Sequence, residues 1–259
     1  MNFFLLKEYL IYFHKKTDEH SLHSPFFYHF YQNLIKDKSF QSEWKIIELK
    51  RLELLKDNSE IEIVDLGAGS KVEKSHKRQV KSIAKNSLSS AKFSQFLFRL
   101  IQNFKFKNNI ELGTSLGINT AYMASANPEA SVFTFEADPY SLNIAREINK
   151  DSKNINFHEG NIGKMLPKLL EEYNQQIGLV YADANHTYKA SLDYFNMIQP
   201  YLNTHSIYIL DDIHWSADMK KAWEELKKYK EVTTSIDLFD AGLLFFNPDF
   251  QKQDYILDF

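Results

Sequence analysis

Residues 110–120 read IELGTSLGINT, and residues 132–139 follow them with VFTFEADP. The first stretch opens with a short apolar run, which predicts a buried parallel strand. Gly113 and Gly117 lie in the turn after that strand, where glycine permits a positive φ angle and the close approach of a ligand. The second stretch predicts the next strand, which Glu136 ends nineteen residues after Gly117. An acid there can accept hydrogen bonds from both ribose hydroxyls, so the pattern predicts a nucleotide-type cofactor site.

The spacing of the glycines narrows the kind of cofactor. The dinucleotide pattern G-x-G-x-x-G is absent, and Gly113 and Gly117 instead stand four residues apart. Glu111 lies in the strand just before them, where its carboxylate would repel a pyrophosphate. S-adenosylmethionine carries an ammonium group and a sulfonium, which a carboxylate attracts. The pattern therefore favours S-adenosylmethionine, although glycine-rich turns also follow strands in α/β proteins that bind no nucleotide.

From this loop onward the chain resembles the class I S-adenosylmethionine-dependent methyltransferases, over residues 90–259. The segment ELGTSLG is similar to the first motif of that family, and FEADP is similar to the second. Three later segments resemble the third, fourth and fifth strands of the family with the turns that follow them: INFHEGNIGKMLPKL (155–169), VYADANHTY (180–188) and IYILDDIHW (207–215).

The resemblance implies a fold class and a domain organisation. It implies an α/β fold of the Rossmann-like methyltransferase type, with a mostly parallel seven-stranded sheet and a C-terminal antiparallel hairpin. Residues 232–247, VTTSIDLFDAGLLFFN, suit that hairpin, because two β-rich runs flank a short Asp-Ala-Gly turn. Residues 1–90 are predicted to form a mostly helical N-terminal cap, and residues 91–259 the methyltransferase core that binds S-adenosylmethionine.

Residue roles for the methyl donor follow from the same resemblance. Glu136 is expected to hold the ribose, Gly113 to line the donor pocket, and Asn161 with Ile162 to flank the adenine. The predicted cofactor-binding residues are Glu111, Gly113, Thr114, Gly117, Glu136, Asn161, Ile162 and Asp183.

Three aspartates end two strands that should be neighbours: Asp183 after the fourth strand, and Asp211 and Asp212 after the fifth. Ligands bind at that edge of an open α/β sheet. Converging carboxylates repel one another unless a cation lies between them, and Mg²⁺ prefers oxygen ligands of this kind. The arrangement resembles the metal site of the metal-dependent small-molecule O-methyltransferases, although catechol-type members commonly have Asn where Asp212 stands. A site without metal, in which the acids cap loops or hold the donor's ammonium group, stays open.

Two histidines are candidates for acid–base chemistry, since His186 and His214 each lie three residues beyond an aspartate. A neutral imidazole can take the proton of the acceptor hydroxyl while the methyl group transfers. DANHTY resembles the D-x-x-H-x-Y turn of this branch of the family, which makes His186 the stronger candidate. The predicted catalytic residues are therefore Asp183, His186 and His214, with a purely orienting role of His186 on Asp183 as the alternative.

The composition excludes several classes of protein. The chain has 259 residues, 44% of them hydrophobic, and its net charge of −3 without a basic stripe argues against a nucleic-acid partner. The absence of cysteine excludes disulfides and thiolate metal sites. The N-terminal run MNFFLLKEYLIYF is interrupted by Lys7 and Glu8 and is too short to span a bilayer. No cleavable signal is evident, so the cytoplasm is the predicted location.

The sequence thus predicts direct methyl transfer from S-adenosylmethionine to a small-molecule acceptor, with Mg²⁺ assistance and homo-oligomerisation both open. A second glycine loop, IVDLGAGS at residues 63–70, is similar to a first motif, but a polar, basic stretch follows it and no strand ends in an acid at the required distance. Two other functions stay possible. One is a non-catalytic binding module on the same fold, and the other is an NAD-dependent oxidoreductase, which the glycine spacing disfavours.

Overall fold

The computed structural model describes residues 3–63 and 77–259. The chain divides into two units: a central unit, Ser39–Asn174, and a terminal unit, Met1–Lys38 together with Gln175–Phe259. The second glycine loop of the sequence lies, from residue 64 onward, outside the described residues. The predicted boundary between a cap and a core at residue 90 stays a prediction.

The described residues contain ten α-helices and ten strands. The helices are α1 (Phe3–Lys15), α2 (Pro25–Phe30), α3 (Ser42–Leu54), α4 (Val80–Ser87), α5 (Ala91–Phe104), α6 (Ile118–Ala126), α7 (Pro139–Ile148), α8 (Ile162–Tyr173), α9 (Tyr188–Ile198) and α10 (Ala217–Leu226). The strands are β1 (Glu60–Glu62), β2 (Lys77–Gln79), β3 (Asn108–Leu112), β4 (Ser131–Glu136), β5 (Ile155–Glu159), β6 (Ile177–Ala182), β7 (Leu202–Asp211), β8 (Thr234–Asp237), β9 (Ala241–Phe245) and β10 (Gln253–Ile256). Short 3₁₀ helices at Glu19–Ser21 and Gln199–Tyr201 and a π-helical turn at Tyr31–Ile35 complete the list.

The central unit is built on three parallel strands in the order β3, β4, β5. Ile110 of β3 pairs with Phe133 of β4, and Val132 of β4 pairs with Ile155 of β5. Strands β3 and β4 are almost wholly buried, as continuous apolar runs in parallel sheets usually are. Strands β1 and β2 form a separate antiparallel pair.

Capping residues start the helices of the central unit close behind the strands. The Asp138 carboxylate accepts a hydrogen bond from the Ser141 amide at 2.8 Å, and Pro139 occupies the first turn of α7. The Ser90 hydroxyl accepts from the Phe93 amide at 3.3 Å and starts α5. The cap at Asp138 therefore starts α7 directly after β4, whereas the cap at Ser90 starts α5 before β3.

The terminal unit has five strands in the order β10, β8, β9, β7, β6. Strands β6 and β7 are parallel, β7 and β8 each pair antiparallel with β9, and β10 runs parallel to β8. Position 242 of β9 requires glycine, because the Trp223 ring packs directly on the backbone there. A Cβ atom on Gly242 would lie 2.6 Å from Trp223 Cη2.

The predicted α/β methyltransferase-type fold is confirmed, with its mainly parallel strands and its antiparallel C-terminal hairpin β8–β9. Two details differ from the prediction. The three strands of the central unit and the five of the terminal unit give eight instead of seven, because Gln253–Ile256 pairs with β8. The hairpin turn comprises residues 238–240, not Asp-Ala-Gly, since β9 already begins at Ala241. Among the described residues, no helix has the length and apolar character needed to cross a membrane.

Candidate functional site

The glycine loop of the central unit is held by backbone hydrogen bonds to β4. The amides of Gly113 and Thr114 both donate to the carbonyl of Phe135 at 3.0 Å. Gly113 has a φ angle of 102° and Gly117 one of 79°, in the region that favours glycine. A Cβ atom on Gly117 would lie 2.7 Å from the Cβ of Ala145, so the loop also packs directly on α7. Both glycines are therefore required by the backbone itself.

Glu136 closes this loop from the end of β4. One carboxylate oxygen accepts from the Ser115 amide at 2.8 Å, and the other accepts from Ala137 and Asp138 at 2.9 and 3.0 Å. Burial raises the pKa of the carboxyl, whereas the three amides act to lower it. The three amides use three of the roughly four lone-pair sites of the carboxylate and leave one, on Oε2, for a hydroxyl of a ligand such as ribose.

Glu111 is fully buried under the loop. Its Oε2 atom accepts hydrogen bonds from the hydroxyls of Thr120 at 2.5 Å and Thr134 at 2.6 Å. The Thr114 hydroxyl lies 2.6 Å from that of Thr134, which extends the network into the glycine loop. The carboxylate thus ties β3, β4 and α6 together.

Asn161 and Ile162 lie at the start of α8, behind β5. Asn161 is the residue that caps the helix, and its carbonyl accepts from the amides of Lys164 and Met165 at 3.0 Å each. The preceding Gly160 donates its amide to the carbonyl of Glu136 at 2.8 Å. The structure therefore brings the predicted adenine-flanking residues next to the predicted ribose-binding acid.

In the terminal unit, the register of β6 and β7 brings Asp183 and Asp211 together. Ala182 pairs with Leu210, so the following residues, Asp183 and Asp211, face each other at the strand ends. The Tyr181 hydroxyl donates to Oδ2 of Asp183 at 2.9 Å. The negative charge of Asp183 acts to raise the pKa of Asp211, because two neighbouring carboxylates repel each other.

The imidazole of His186 lies between two carboxyl groups. Its Nε2 atom is 3.3 Å from Oδ1 of Asp183, and its Nδ1 atom is 3.6 Å from Oδ2 of Asp212. His186 and Asp212 have φ angles of 27° and 57°, and Asn185 has 66°. Left-handed backbone at non-glycine residues costs energy and concentrates at functional sites. The acidic cluster, Asp183, His186, Asp211 and Asp212, has this backbone property of a functional site.

The charges of the cluster shift one another's protonation. Burial raises the pKa of Asp211 well above its usual value, and the charges of Asp183 and Asp212 add to the rise. Burial also raises the pKa of Asp212, to about 6, against the lowering effect of His186. Burial lowers the pKa of His186, but its hydrogen bond to Asp183 and the two negative charges raise it by more. Three titratable groups with strongly shifted pKa values indicate a functional site.

The fit of a divalent cation to this cluster depends on the His186 ring. The carboxyl oxygens of Asp183, Asp211 and Asp212 are ligands of the type that Mg²⁺ prefers. Within residues 3–63 and 77–259, however, no group of three or more acidic or histidine side chains is arranged to hold a metal ion. The imidazole already contacts Asp183 and Asp212. As arranged, the cluster is an acid–imidazole network and not a cation cage.

His214 lies in a second, separate network of the terminal unit. Its Nε2 atom is 2.7 Å from Oδ2 of Asp237, its Nδ1 atom is 3.3 Å from Oε2 of Glu8, and its ring stacks on Phe239 at 5.2 Å. Lys220 binds the same Glu8 oxygen at 2.5 Å. His214 is buried, so this placement favours a structural role through its contacts with Asp237 and Glu8, and its predicted catalytic role stays a prediction.

Sequence reasoning missed two contributors. The Ser115 amide reaches Glu136 because Ser115 has a φ angle of 48°. A polar residue between two loop glycines gives no sign in the sequence of this left-handed backbone. Tyr181 was detectable, since residues two apart on a strand point to the same face, which places its hydroxyl near Asp183. The sequence predicts the glycine loop and Glu136 of the central unit and the acidic cluster of the terminal unit as site residues, and their roles stay predictions.

Comparisons with known proteins agree with this fold. Residues 110–213 match a family model described as a methyltransferase domain. The O-methyltransferase TomG from Streptomyces achromogenes, involved in tomaymycin synthesis and solved with SAM, is 19% identical at a TM-score of 0.55, with 61% of this chain and 81% of TomG covered. An O-methyltransferase from Bacillus cereus, solved with SAH, is 15% identical at a TM-score of 0.58, with 83% and 94% covered. The SAH-bound methyltransferase PaMTH1 from Podospora anserina is 17% identical at a TM-score of 0.55, with 63% and 81% covered. No curated protein matches the chain.

Proposed function

We propose that this chain, whose residues 110–213 match a methyltransferase domain, is a class I S-adenosylmethionine-dependent methyltransferase that methylates a hydroxyl group of a small molecule. The acceptor oxygen attacks the methyl carbon of the donor, the carbon–sulfur bond breaks with its electrons moving to sulfur, and S-adenosylhomocysteine leaves. The sulfonium is already activated, so the protein aligns the two reactants and removes the hydroxyl proton.

The central unit is assigned the donor. Glu136 binds the ribose diol, because its carboxylate is already oriented by three backbone amides. Gly113 lets the backbone approach the donor, Gly117 lets the loop pack on α7, and Asn161 and Ile162 flank the adenine. Glu111, which is bound by Thr120 and Thr134, supplies a fixed negative charge beneath the loop for the cationic methionine end.

The acidic cluster of the terminal unit is assigned to the acceptor, and the position of His186 between two carboxyl groups carries this assignment. A tautomer that donates Nε2–H to Asp183 leaves the lone pair of Nδ1 beside the half-exposed Asp212. That nitrogen takes the proton of the acceptor hydroxyl as the new oxygen–carbon bond forms. Asp183 holds the ring and stabilises the imidazolium that results.

Assistance by Mg²⁺ is the second candidate, favoured by the three carboxyl groups at the ends of β6 and β7. Such an ion would lower the pKa of the acceptor hydroxyl and fix its position. Binding it requires the His186 ring to leave its contacts with Asp183 and Asp212. The network without metal is therefore the first choice.

Transfer from methyl-labelled S-adenosylmethionine to a panel of phenolic, catecholic and sugar hydroxyl acceptors tests the proposal, with EDTA or Mg²⁺ present. His186→Gln should lower the transfer rate about a hundredfold or more while donor binding persists. His205→Gln, which changes an exposed histidine of the same unit, is the matched control. An unchanged rate in His186→Gln contradicts its assignment as base, and a rate abolished by EDTA and restored by Mg²⁺ favours the second candidate.

Measurements of S-adenosylmethionine and NADH binding, made beside this transfer assay, separate the other functions. Donor binding without transfer to any acceptor supports a non-catalytic binding module. Binding of NADH in place of S-adenosylmethionine supports an oxidoreductase.

A further inference from the structure

Helix α1 presents an apolar face to solvent. Phe3, Leu10 and Phe13 are exposed by 81%, 58% and 55%, and Leu6 lies between them on the same face. Their positions, three and four residues apart, form one stripe along a thirteen-residue helix. Large apolar side chains scattered singly on a surface are ordinary, but a contiguous exposed stripe indicates an interaction surface.

The exposed charges of α1 are lysines. Lys7 and Lys15 are exposed, whereas Glu8 is the only acid of α1 and is buried. Glu8 is moreover neutralised from within the terminal unit, since Lys220 binds its carboxylate at 2.5 Å. The outer surface of α1 is therefore apolar and cationic.

The opposite face of α1 holds the helix firmly in the terminal unit. Tyr12 is buried and donates its hydroxyl to the carbonyl of Leu257 at 2.7 Å. The rings of Tyr9 and Tyr12 each lie 5.2 Å from that of Phe239. The apolar stripe is therefore displayed by a docked helix and is not a frayed end whose side chains lack a place in the core.

We propose that the outer face of α1 docks the protein on an anionic lipid bilayer. A helix with aromatic and leucine side chains on one face and lysines beside them lies in the plane of the interface, with its apolar face about 5–10 Å deep. The lysines attract anionic headgroups, and their aliphatic stems lie along the apolar surface.

A second copy of the chain fits this face less well. The positions of Phe3, Leu6, Leu10 and Phe13 follow the spacing of a coiled coil, but over only about two heptads, fewer than a stable coiled coil needs. Two copies of α1 would also bring their cationic borders together. The surface that α1 contacts should therefore carry negative charge, and a bilayer of acidic lipids carries it.

Helix α3 provides an internal comparison. Ile46, Leu49 and Leu52 form a similar stripe and are exposed by 62%, 52% and 49%. That helix has no net charge to attract acidic headgroups, because its three acids offset its three basic residues: Glu43, Glu48 and Glu53 against Lys45, Lys50 and Arg51. If exposed apolar area alone decided binding, substitutions on α1 and on α3 would weaken vesicle binding equally. The proposal instead predicts that only the substitutions on α1 weaken it.

Co-sedimentation of the full chain with vesicles of phosphatidylglycerol, or of phosphatidylcholine alone, tests the proposal. We expect binding to the phosphatidylglycerol vesicles that is weakened by salt, and little binding to phosphatidylcholine. Leu10→Asp with Phe13→Asp should abolish it, and Ile46→Asp with Leu49→Asp on α3 should not. Lys7→Gln with Lys15→Gln changes only exposed side chains and should weaken binding by about thirtyfold.

Three results would overturn the proposal. They are absence of binding by the wild-type chain, equal binding to both kinds of vesicle, and equal loss in the α1 and α3 variants. A chain that is dimeric by light scattering and becomes monomeric in the Leu10→Asp, Phe13→Asp variant would identify a second copy as the occupant instead. Thermal unfolding of each variant establishes whether it is folded. If the Leu10→Asp, Phe13→Asp variant does not fold, the Lys7→Gln, Lys15→Gln variant still tests the proposal.

Discussion

The Nε2 atom of His186 lies 3.3 Å from Oδ1 of Asp183. Asp183 directly follows strand β6, and His186 lies three residues later in the same turn. Burial lowers the pKa of His186, but the hydrogen bond to Asp183 and the charges of Asp183 and Asp212 raise it above the usual 6.5. The imidazole must be neutral to accept the acceptor's proton. The transfer rate should therefore rise with pH through a midpoint above that value.

Asp183→Asn tests this origin of the pH dependence. Without the negative charge the pKa of His186 falls, so the acidic limb of the rate profile should move to lower pH, whatever the maximal rate. Asp193→Asn, which removes a partly exposed acid paired with Lys189, should leave the limb in place. A limb that does not move in Asp183→Asn contradicts the coupling between this carboxylate and the base.

Protein stability should also depend on the acidic cluster. The pKa of Asp211 is raised well above the usual 3.8 and that of Asp212 to about 6, chiefly by burial. The folded chain therefore holds protons that the unfolded chain loses above pH 3.8. This contribution to stability is fully present below the unfolded pKa and is lost as pH rises through the folded pKa. His186 acts in the same direction, because its folded pKa is raised as well.

Asp211→Asn should reduce this loss of stability, because the amide has no proton to release. Urea unfolding of the wild-type chain and the variant at about pH 5 and about pH 8 measures the difference. The wild-type chain should lose more unfolding free energy between the two conditions than the variant does. Equal losses would show that the buried carboxyl is not protonated in the folded chain.

Gly117→Ala should destabilise the central unit. Gly117 has a φ angle of 79°, and an added Cβ would meet Ala145 Cβ at 2.7 Å and its Cα at 2.9 Å. Backbone strain and overlap together should cost about 2–3 kcal/mol of unfolding free energy. Gly163→Ala is the control, since its nearest contact is a side-chain oxygen of Asn161 at 3.2 Å and its φ angle is ordinary. Thermal unfolding that ranks both variants alike would contradict the account.

His214→Gln should act on stability more than on chemistry. The buried ring is hydrogen-bonded to Asp237 at 2.7 Å, and removing one partner of a buried hydrogen bond costs about 1–3 kcal/mol. The transfer rate per folded molecule and its pH profile should stay close to those of the wild-type chain. A variant of normal stability whose rate has collapsed would instead support the catalytic role that the sequence predicts.

Local sequence chemistry makes the donor site predictable. Gly113, Gly117 and Glu136 belong to one strand–turn–helix–strand segment, and their positions follow from strand ends and backbone angles that neighbouring residues set. Asp183 and Asp211 are predictable for a related reason, because parallel strands bring their carboxyl ends to the same edge.

Contacts between distant parts of the chain account for what the sequence does not reveal. The partner of His214 is Glu8 on α1, and no local pattern joins residues so far apart. Strand β10 is four residues long and has a single buried residue, Tyr255, so it is too short to be recognised without β8 beside it. The position of His186 between two acids depends on the left-handed backbone at Asn185, His186 and Asp212, which propensities disfavour.

Isothermal titration with S-adenosylmethionine and S-adenosylhomocysteine tests the central claim most directly, with the wild-type chain, Glu136→Gln and Glu159→Gln. Glu159 ends β5 opposite Glu136 and its side chain is 49% exposed, so it is the matched control. We expect the wild-type chain and Glu159→Gln to bind both ligands. Glu136→Gln should bind them about 10–100-fold more weakly, because it loses charge-assisted hydrogen bonds to the ribose. Absence of binding by the wild-type chain, or equal affinity in all three proteins, would contradict it.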